Sequence, residues 1–166
     1  LLGWLYLKRL VANERLWGGR TAPLTADNID DLLLWMTFGV VVGGRLGQVL
    51  FYEPVYFFSE PSRILRIWEG GMSFHGGLVG SILAMLLFSI RNNVSFLSTL
   101  DLAAAATPIG LFFGRIANFI NGELWGRPTS LPWGVIFPDA DGQPRHPSQI
   151  YEALLEGVVL FLVLRT

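Results

Sequence analysis

The chain has no cysteine. It can therefore form no disulfide, and it offers neither a thiolate nucleophile nor a sulfur ligand for a metal. Two histidines, His75 and His146, are too few for a metal set, so no metal is expected. Charge is scarce as well: 15% of residues are charged, against roughly 25% in an average soluble protein. The net charge of -1 gives no general attraction to nucleic acid, and no nucleic-acid partner is expected. There is no phosphate-binding Gly-Lys-Ser loop and no defensible serine-histidine-aspartate order.

What the chain does have is apolar length. Of its 166 residues, 52% are hydrophobic, with nineteen glycines and six tryptophans. That balance predicts one integral membrane domain over residues 1–166, all-α, a polytopic transmembrane helix bundle. The stretch Leu1 to Leu7 is too short to span a bilayer and reads as the end of a first helix. About four complete spans follow. Leu32 to Tyr52 carries Gly39, Gly43 and Gly47 at intervals of four, a face that lets another helix approach closely. Met72 to Ile90 is the next span, and its glycines around His75 read as helix packing. A third apolar run starts near Phe96 and holds Pro108, where a kink is expected. There Gly110 and Gly114 repeat the four-residue glycine spacing. Pro147 to Leu164 is the last span. Asn28 is expected to cap the first full span, and Ser98 with Asp101 to form a capping box on the third.

Residues 53–71 and 127–146 read as outer-face loops. The basic residues Lys8, Arg9, Arg15, Arg20, Arg91 and Arg165 fall on one side of the spans, against Arg63, Arg66, Arg127 and Arg145 on the other. The more basic side is expected inside. His75, Gly114 to Arg127 and Arg145 to Glu152 then lie toward the outer face.

The richest polar chemistry is Gly114-Arg-Ile-Ala-Asn-Phe-Ile-Asn-Gly-Glu-Leu-Trp-Gly-Arg127. Arg115 and Asn118 lie three apart and share a helix face. An arginine ending an apolar run needs water, a partner or a ligand, and a phosphate or carboxylate is the natural ligand. Gln149, Glu152 and Glu156 make a polar stripe on the last span, which should face protein rather than lipid. Two readings fit these residues. One is an enzyme acting on an anionic lipid head group, with arginines on the phosphate and His75 in proton transfer. The other is a transporter or channel for an anion or lipid, with an arginine-lined site.

The residues also resemble a known family. Phe74-His75-Gly-Gly-Leu78, the stretch Gly114 to Arg127, and Arg145-His-Pro-Ser-Gln-Ile-Tyr-Glu152 resemble the bacterial prolipoprotein diacylglyceryl transferases. Gly43-Gly-Arg-Leu-Gly47 and Trp68 to Phe74 look like that family too, and the resemblance runs from about Trp4 to the end. It implies a multi-pass enzyme of the bacterial inner membrane with its active site toward the periplasmic face. The implied reaction moves the diacylglyceryl group of phosphatidylglycerol to the lipobox cysteine thiol of a preprolipoprotein signal peptide. A thioether forms and glycerol phosphate leaves, and no metal or soluble cofactor is implied. The implied catalytic residues are His75, Arg115 and Glu123. The implied substrate-binding residues are Arg115, Asn118, Asn121, Gly126, Arg45 and Arg127. On the chemistry of the residues themselves, Glu123 is expected to orient an arginine rather than act as a base. The family pattern also implies a functional tyrosine before this stretch, and a functional arginine and glutamate after it. On that reading these residues are a fragment of a longer transferase.

Overall fold

The computed structural model describes residues 1–165, and the described residues are helical with connecting loops. In chain order the helices are α1 (Leu2–Val11), α2 (Ala26–Gly47), α3 (Pro54–Ser59), α4 (Phe74–Asn92), α5 (Phe96–Asn121), α6 (Ser148–Glu152) and α7 (Leu160–Arg165). A π segment, Gln48–Tyr52, extends α2, and another, Ala153–Val159, joins α6 to α7. Three helices are long and apolar enough to cross a membrane: Ala26–Tyr52, Phe74–Asn92 and Phe96–Asn121. The fourth expected span, 147–164, is helical from Ser148 but changes register at its π segment and carries Glu152 and Glu156. The chain divides into two compact units, Lys8–Asp101 and Leu1–Leu7 with Leu102–Thr166.

In the unit Lys8–Asp101, α2 packs on α4 through glycine. A Cβ on Gly39 would come within 2.6 Å of both Ala84 Cβ and Gly80 O. One on Gly47 would lie 2.8 Å from Gly76 Cα, and one on Gly43 would strike Gly76 O and Gly80 Cα. The two backbones therefore touch along Gly39, Gly43 and Gly47 on one side and Gly76 and Gly80 on the other. Lipid tails are as apolar as leucine, so close van der Waals contact rather than water exclusion holds such a pair. The glycine spacing alone is not sufficient. At Gly110 and Gly114 of α5, a Cβ would meet no described atom within 4 Å.

Two helix starts differ from expectation. Asn28 is not the cap of α2. Thr25 is, and Asn28 is its partner: Asn28 N–H donates to Thr25 Oγ1 at 3.2 Å, and Thr25 N–H to Asn28 Oδ1 at 3.1 Å. Asparagine here does the work usual for Glu or Gln in a capping box. Likewise Ser98 lies inside α5, its N–H donating to Ser95 Oγ at 3.4 Å, so the hydroxyl one turn earlier serves the helix start. Helix α4 starts at Ser73, whose Oγ accepts from Gly76 N–H at 3.0 Å, and ends at Asn93 with φ 52°. Between α4 and the start of α5, the buried hydroxyls of Ser89 and Thr99 pair at 3.0 Å.

In the other unit, α5 continues through Pro108, which is fully buried. Gly157 of the π segment meets Phe112, where a Cβ would lie 2.7 Å from Phe112 Cβ. Residues 126–146 fold back on themselves. Val135 and Arg145 exchange both main-chain hydrogen bonds at 2.9 Å, and Thr129 N–H reaches Pro144 O at 2.8 Å.

Alanine at Gly43, Gly76 or Gly80 is expected to destabilise the protein by about 1–3 kcal/mol, the range for overpacking. Gly77→Ala is the control, because its Cβ would sit at ordinary contact, 3.7 Å from Val40 O. Thermal unfolding in detergent should separate the first three variants from the fourth. Equal melting temperatures for all four would contradict backbone contact between α2 and α4.

Candidate functional site around Arg115

The site residues fall in both units. Arg115, Asn118, Asn121, Glu123, Gly126 and Arg127 belong to the unit containing most of α5, and Arg45 and His75 to the unit Lys8–Asp101.

Helix α5 ends in a way that determines where Glu123 goes. Gly122 takes φ 70°, a left-handed conformation that glycine adopts without strain. Gly122 N–H then donates to Phe119 O at 3.1 Å and Glu123 N–H to Asn118 O at 3.0 Å, the pair of bonds of a Schellman motif. The turn folds Glu123 back over the helix end. Its Oε1 accepts from Asn118 Nδ2 at 3.0 Å and Asn121 Nδ2 at 3.2 Å. Asn118, then Asn121, hold this carboxyl below its ordinary 4.5 by favouring the ionised form. The main chain is pinned as well: Gln149 Nε2 donates to Glu123 O at 2.6 Å, and Ser148 Oγ to Leu124 O at 3.1 Å.

Arg115 lies on α5 two turns before this cap, with 27% of its side chain exposed. Its Nε is 2.8 Å from Glu152 Oε2, and one terminal nitrogen is 3.5 Å from Glu156 Oε2. The contact to Glu152 is an ion pair by distance but is not aligned as a hydrogen bond, and the Nε is fully buried. The carboxylates facing Arg115 are thus those of the polar stripe. Glu123 does not orient an arginine as expected; it is paired with two amides, because the α5 cap turns it toward Asn118 and Asn121.

Gly126 has a steric role. A Cβ there would lie 2.9 Å from both His146 Cβ and His146 O, and Gly126 N–H donates to that carbonyl at 2.9 Å. Arg127 is exposed and is held through its main-chain carbonyl, which accepts from His146 N–H at 3.0 Å. A hydrogen-bonded chain absent from the sequence reading adjoins these residues. Trp133 Nε1 donates to Tyr151 Oη at 2.7 Å, and Tyr151 Oη pairs with His146 Nδ1 at 3.2 Å. Arg145 anchors the turn before it, with two bonds to Asp141 at 2.9 and 3.1 Å and one to Gly126 O at 3.0 Å. Arg145 in turn depresses the Asp141 carboxyl.

In its own unit, Arg45 is buried, 5% exposed. Its guanidinium has five N–H groups, and each meets a main-chain carbonyl. Nε donates to Ile64 O at 2.9 Å, Nη1 to Gly70 O at 2.7 Å and Gly71 O at 3.1 Å, and Nη2 to Arg66 O at 3.1 Å and to Arg63 O. The Phe57 ring lies 4.7 Å from its Cζ. In this conformation Arg45 has no donor left for a substrate anion, contrary to its expected binding role. It organises the loop between α3 and α4 instead. His75 sits in the first turn of α4, exposed, edge-on to Phe74 at 5.6 Å between ring centres.

These features define an all-α membrane protein in which a guanidinium, two carboxylates and an amide-held glutamate gather at the end of one apolar helix. The chain belongs to the prolipoprotein diacylglyceryl transferase family: the family model of that description matches residues 1–166. A protein of Phenylobacterium zucineum named phosphatidylglycerol–prolipoprotein diacylglyceryl transferase is 56% identical, over 99% of this chain and 61% of its own length. Proteins of the same name from Rhizobium leguminosarum bv. trifolii and Rhizobium meliloti are each 56% identical over 99% of this chain, and 58% and 59% of their own lengths are covered. The chain thus spans about 60% of the length of these relatives.

Two outcomes follow from the geometry. Arg45→Lys leaves three N–H donors where five carbonyls now have partners. Amide exchange across residues 61–71 should quicken at least about tenfold, since a hydrogen bond to a charged group contributes about 1.5–3 kcal/mol. Separately, Glu123 is ionised well below neutral pH. Any stability it contributes is present above its unfolded value and is lost as pH falls through the lower folded one. Carboxyl-labelled spectroscopy should show its titration below 4.5, moving upward in Asn118→Ala. An unchanged midpoint in that variant would contradict the Asn118 bond.

Proposed function

We propose that the protein transfers the diacylglyceryl group of phosphatidylglycerol to the lipobox cysteine thiol of a preprolipoprotein, the first step of lipoprotein maturation. The sulfur attacks the glycerol carbon that carries the phosphate ester. A C–S bond forms, the C–O bond to phosphate breaks, and glycerol phosphate leaves with the electron pair. The thiol proton must go to a base, and His75, exposed at the start of α4, is the side chain we assign to take it.

The single observation that carries this reading is the position of Arg115 at the end of an apolar helix, beside a loop ordered down to its main chain. A guanidinium there can bind the lipid phosphate and stabilise the charge that develops as it leaves. Asn118 and Asn121 each keep one amide hydrogen beyond those given to Glu123, and these can donate to the phosphate or glycerol oxygens. Glu123, ionised and acceptor-only, is a poor proton donor near neutral pH and serves to hold these amides. An apolar pocket of about 220 Å³, lined by Pro108, Phe112, Phe113, Gly157 and Phe161 among others, lies on the stretch of α5 leading to Arg115 and can take part of an acyl chain. The lipid, the signal peptide and the surrounding membrane lipid are the partners in this reading. The location is the bacterial inner membrane, with Arg115 toward the periplasmic face, the less basic side of the spans. No observation among the described residues favours an anion pathway instead.

The intact protein, in vesicles with phosphatidylglycerol and a lipobox peptide, should add one diacylglyceryl unit to the peptide, read by mass spectrometry. Arg115→Ala should lower kcat/KM by about 10²–10³-fold, as loss of a charge-stabilising donor does. Arg115→Lys keeps the charge and loses the planar fork. Full transfer and full lipid retention in Arg115→Lys would rule out a phosphate role for this side chain.

A further inference from the structure

The stripe Gln149, Glu152, Glu156 contacts both halves of the Gly114–Arg127 motif. Gln149, 1% exposed, holds the main chain of Glu123, while Glu152 and Glu156 hold the side chain of Arg115. Local geometry makes this possible. The helix that begins at Ser148 widens into its π segment at Ala153, directly after Glu152. Such single π stretches recur at functional sites because they rotate the side chains that follow. Gly157 lets the widened helix rest on Phe112, one turn before Arg115, and so brings Glu156 beside the guanidinium.

The two carboxylates are not equivalent. Glu152 is 2.8 Å from the buried Nε, and Glu156 is 3.5 Å from a terminal nitrogen. With both ionised, the cluster of Arg115, Glu152 and Glu156 has one negative charge in excess. The incoming lipid phosphate, a phosphodiester monoanion, meets this excess negative charge and must therefore displace one of the two carboxylates. The longer contact is the weaker, and it is on the terminal nitrogen, the edge a phosphate fork uses.

We propose that Glu152 is the positioning residue of Arg115 and that Glu156 is the carboxylate that gives way to the lipid phosphate. This rests on the transferase reading and adds a division of labour to it. Glu152 holds Nε throughout, turning the terminal nitrogens toward the phosphate. Glu156 occupies one of those nitrogens until the lipid arrives. The unaligned geometry at Nε fits a group that tightens only when the ligand is bound.

The test uses the intact protein in phosphatidylglycerol vesicles with a lipobox peptide. Glu152→Gln should reduce kcat/KM for phosphatidylglycerol by about ten- to a hundredfold, the scale of a misplaced catalytic group. The KM for peptide should not move, and Glu152→Asp should recover part of the loss. Glu156→Gln should lower the KM for phosphatidylglycerol. The double variant Arg115→Lys with Glu152→Gln should be no slower than Arg115→Lys alone, because Glu152 acts through Arg115. Unchanged lipid kinetics in Glu152→Gln, equal losses in the two glutamine variants, or additive losses in the double variant would each overturn the proposal. Native mass spectrometry of retained phosphatidylglycerol reads the same difference without turnover: Glu152→Gln should retain less lipid and Glu156→Gln more. Absence of any peptide modification by the unaltered protein would sink the transferase reading, and the retention measurement would still decide the roles of the two glutamates. If Glu152→Gln fails to fold, Glu152→Asp and Glu156→Gln carry the comparison.

Discussion

A guanidinium keeps its proton in any environment a protein offers, so an arginine on an apolar helix must be supplied with acceptors or lose a large solvation energy. That constraint shapes both units. Around Arg45 the acceptors are main-chain carbonyls, and a whole loop is bent to present them. Around Arg115 they are carboxylates on another helix, and that helix is widened and brought close to present them. The first solution gives every donor of Arg45 a partner. The second leaves the donors of Arg115 incompletely used.

Close backbone approach is the means in each case. In one unit, Gly39, Gly43 and Gly47 meet Gly76 and Gly80, and the contact places Ser73 and Arg45 under the same loop. Ser73 N–H donates to Gly44 O at 2.9 Å, so the start of α4 is tied to the residue before Arg45. In the other unit, Gly157 meets Phe112 and Gly126 meets His146. Each of these glycines is required by the lack of room for a side chain. Gly122, by contrast, is required by its backbone angle.

Much of this was readable from residue order. Apolar runs marked the three long helices, and the four-residue glycine spacing on α2 marked a helix contact. The Gln149–Glu152–Glu156 stripe could be assigned to face protein because lipid could not accept it. Other features were not readable. Arg45 binds carbonyls, which every residue has, so no side-chain pattern announces its partners. The same glycine spacing on α5 faces no described atom within 4 Å of a Cβ at Gly110 or Gly114, because spacing describes a face and says nothing of what lies opposite. The π segment leaves no compositional trace. The caps at Thr25 and Ser95 lay one turn before the expected residues, where equally good hydroxyls were available. The Asn121-Gly122 pair was a usable signal for a left-handed helix end, and with it the turn of Glu123 toward the two amides.

The loop held by Arg45 has an unusual sequence economy. Its anchor points are the carbonyls of Arg63, Ile64, Arg66, Gly70 and Gly71. A carbonyl survives any substitution of the side chain beside it. The shape of this segment is therefore set in large part from outside itself, by one side chain 18 to 26 residues earlier. Only Gly70 and Gly71, at φ 86° and 76°, restrict what can stand there. Its exposed side chains, Leu65 and Trp68 among them, are free to change while the backbone path stays as it is.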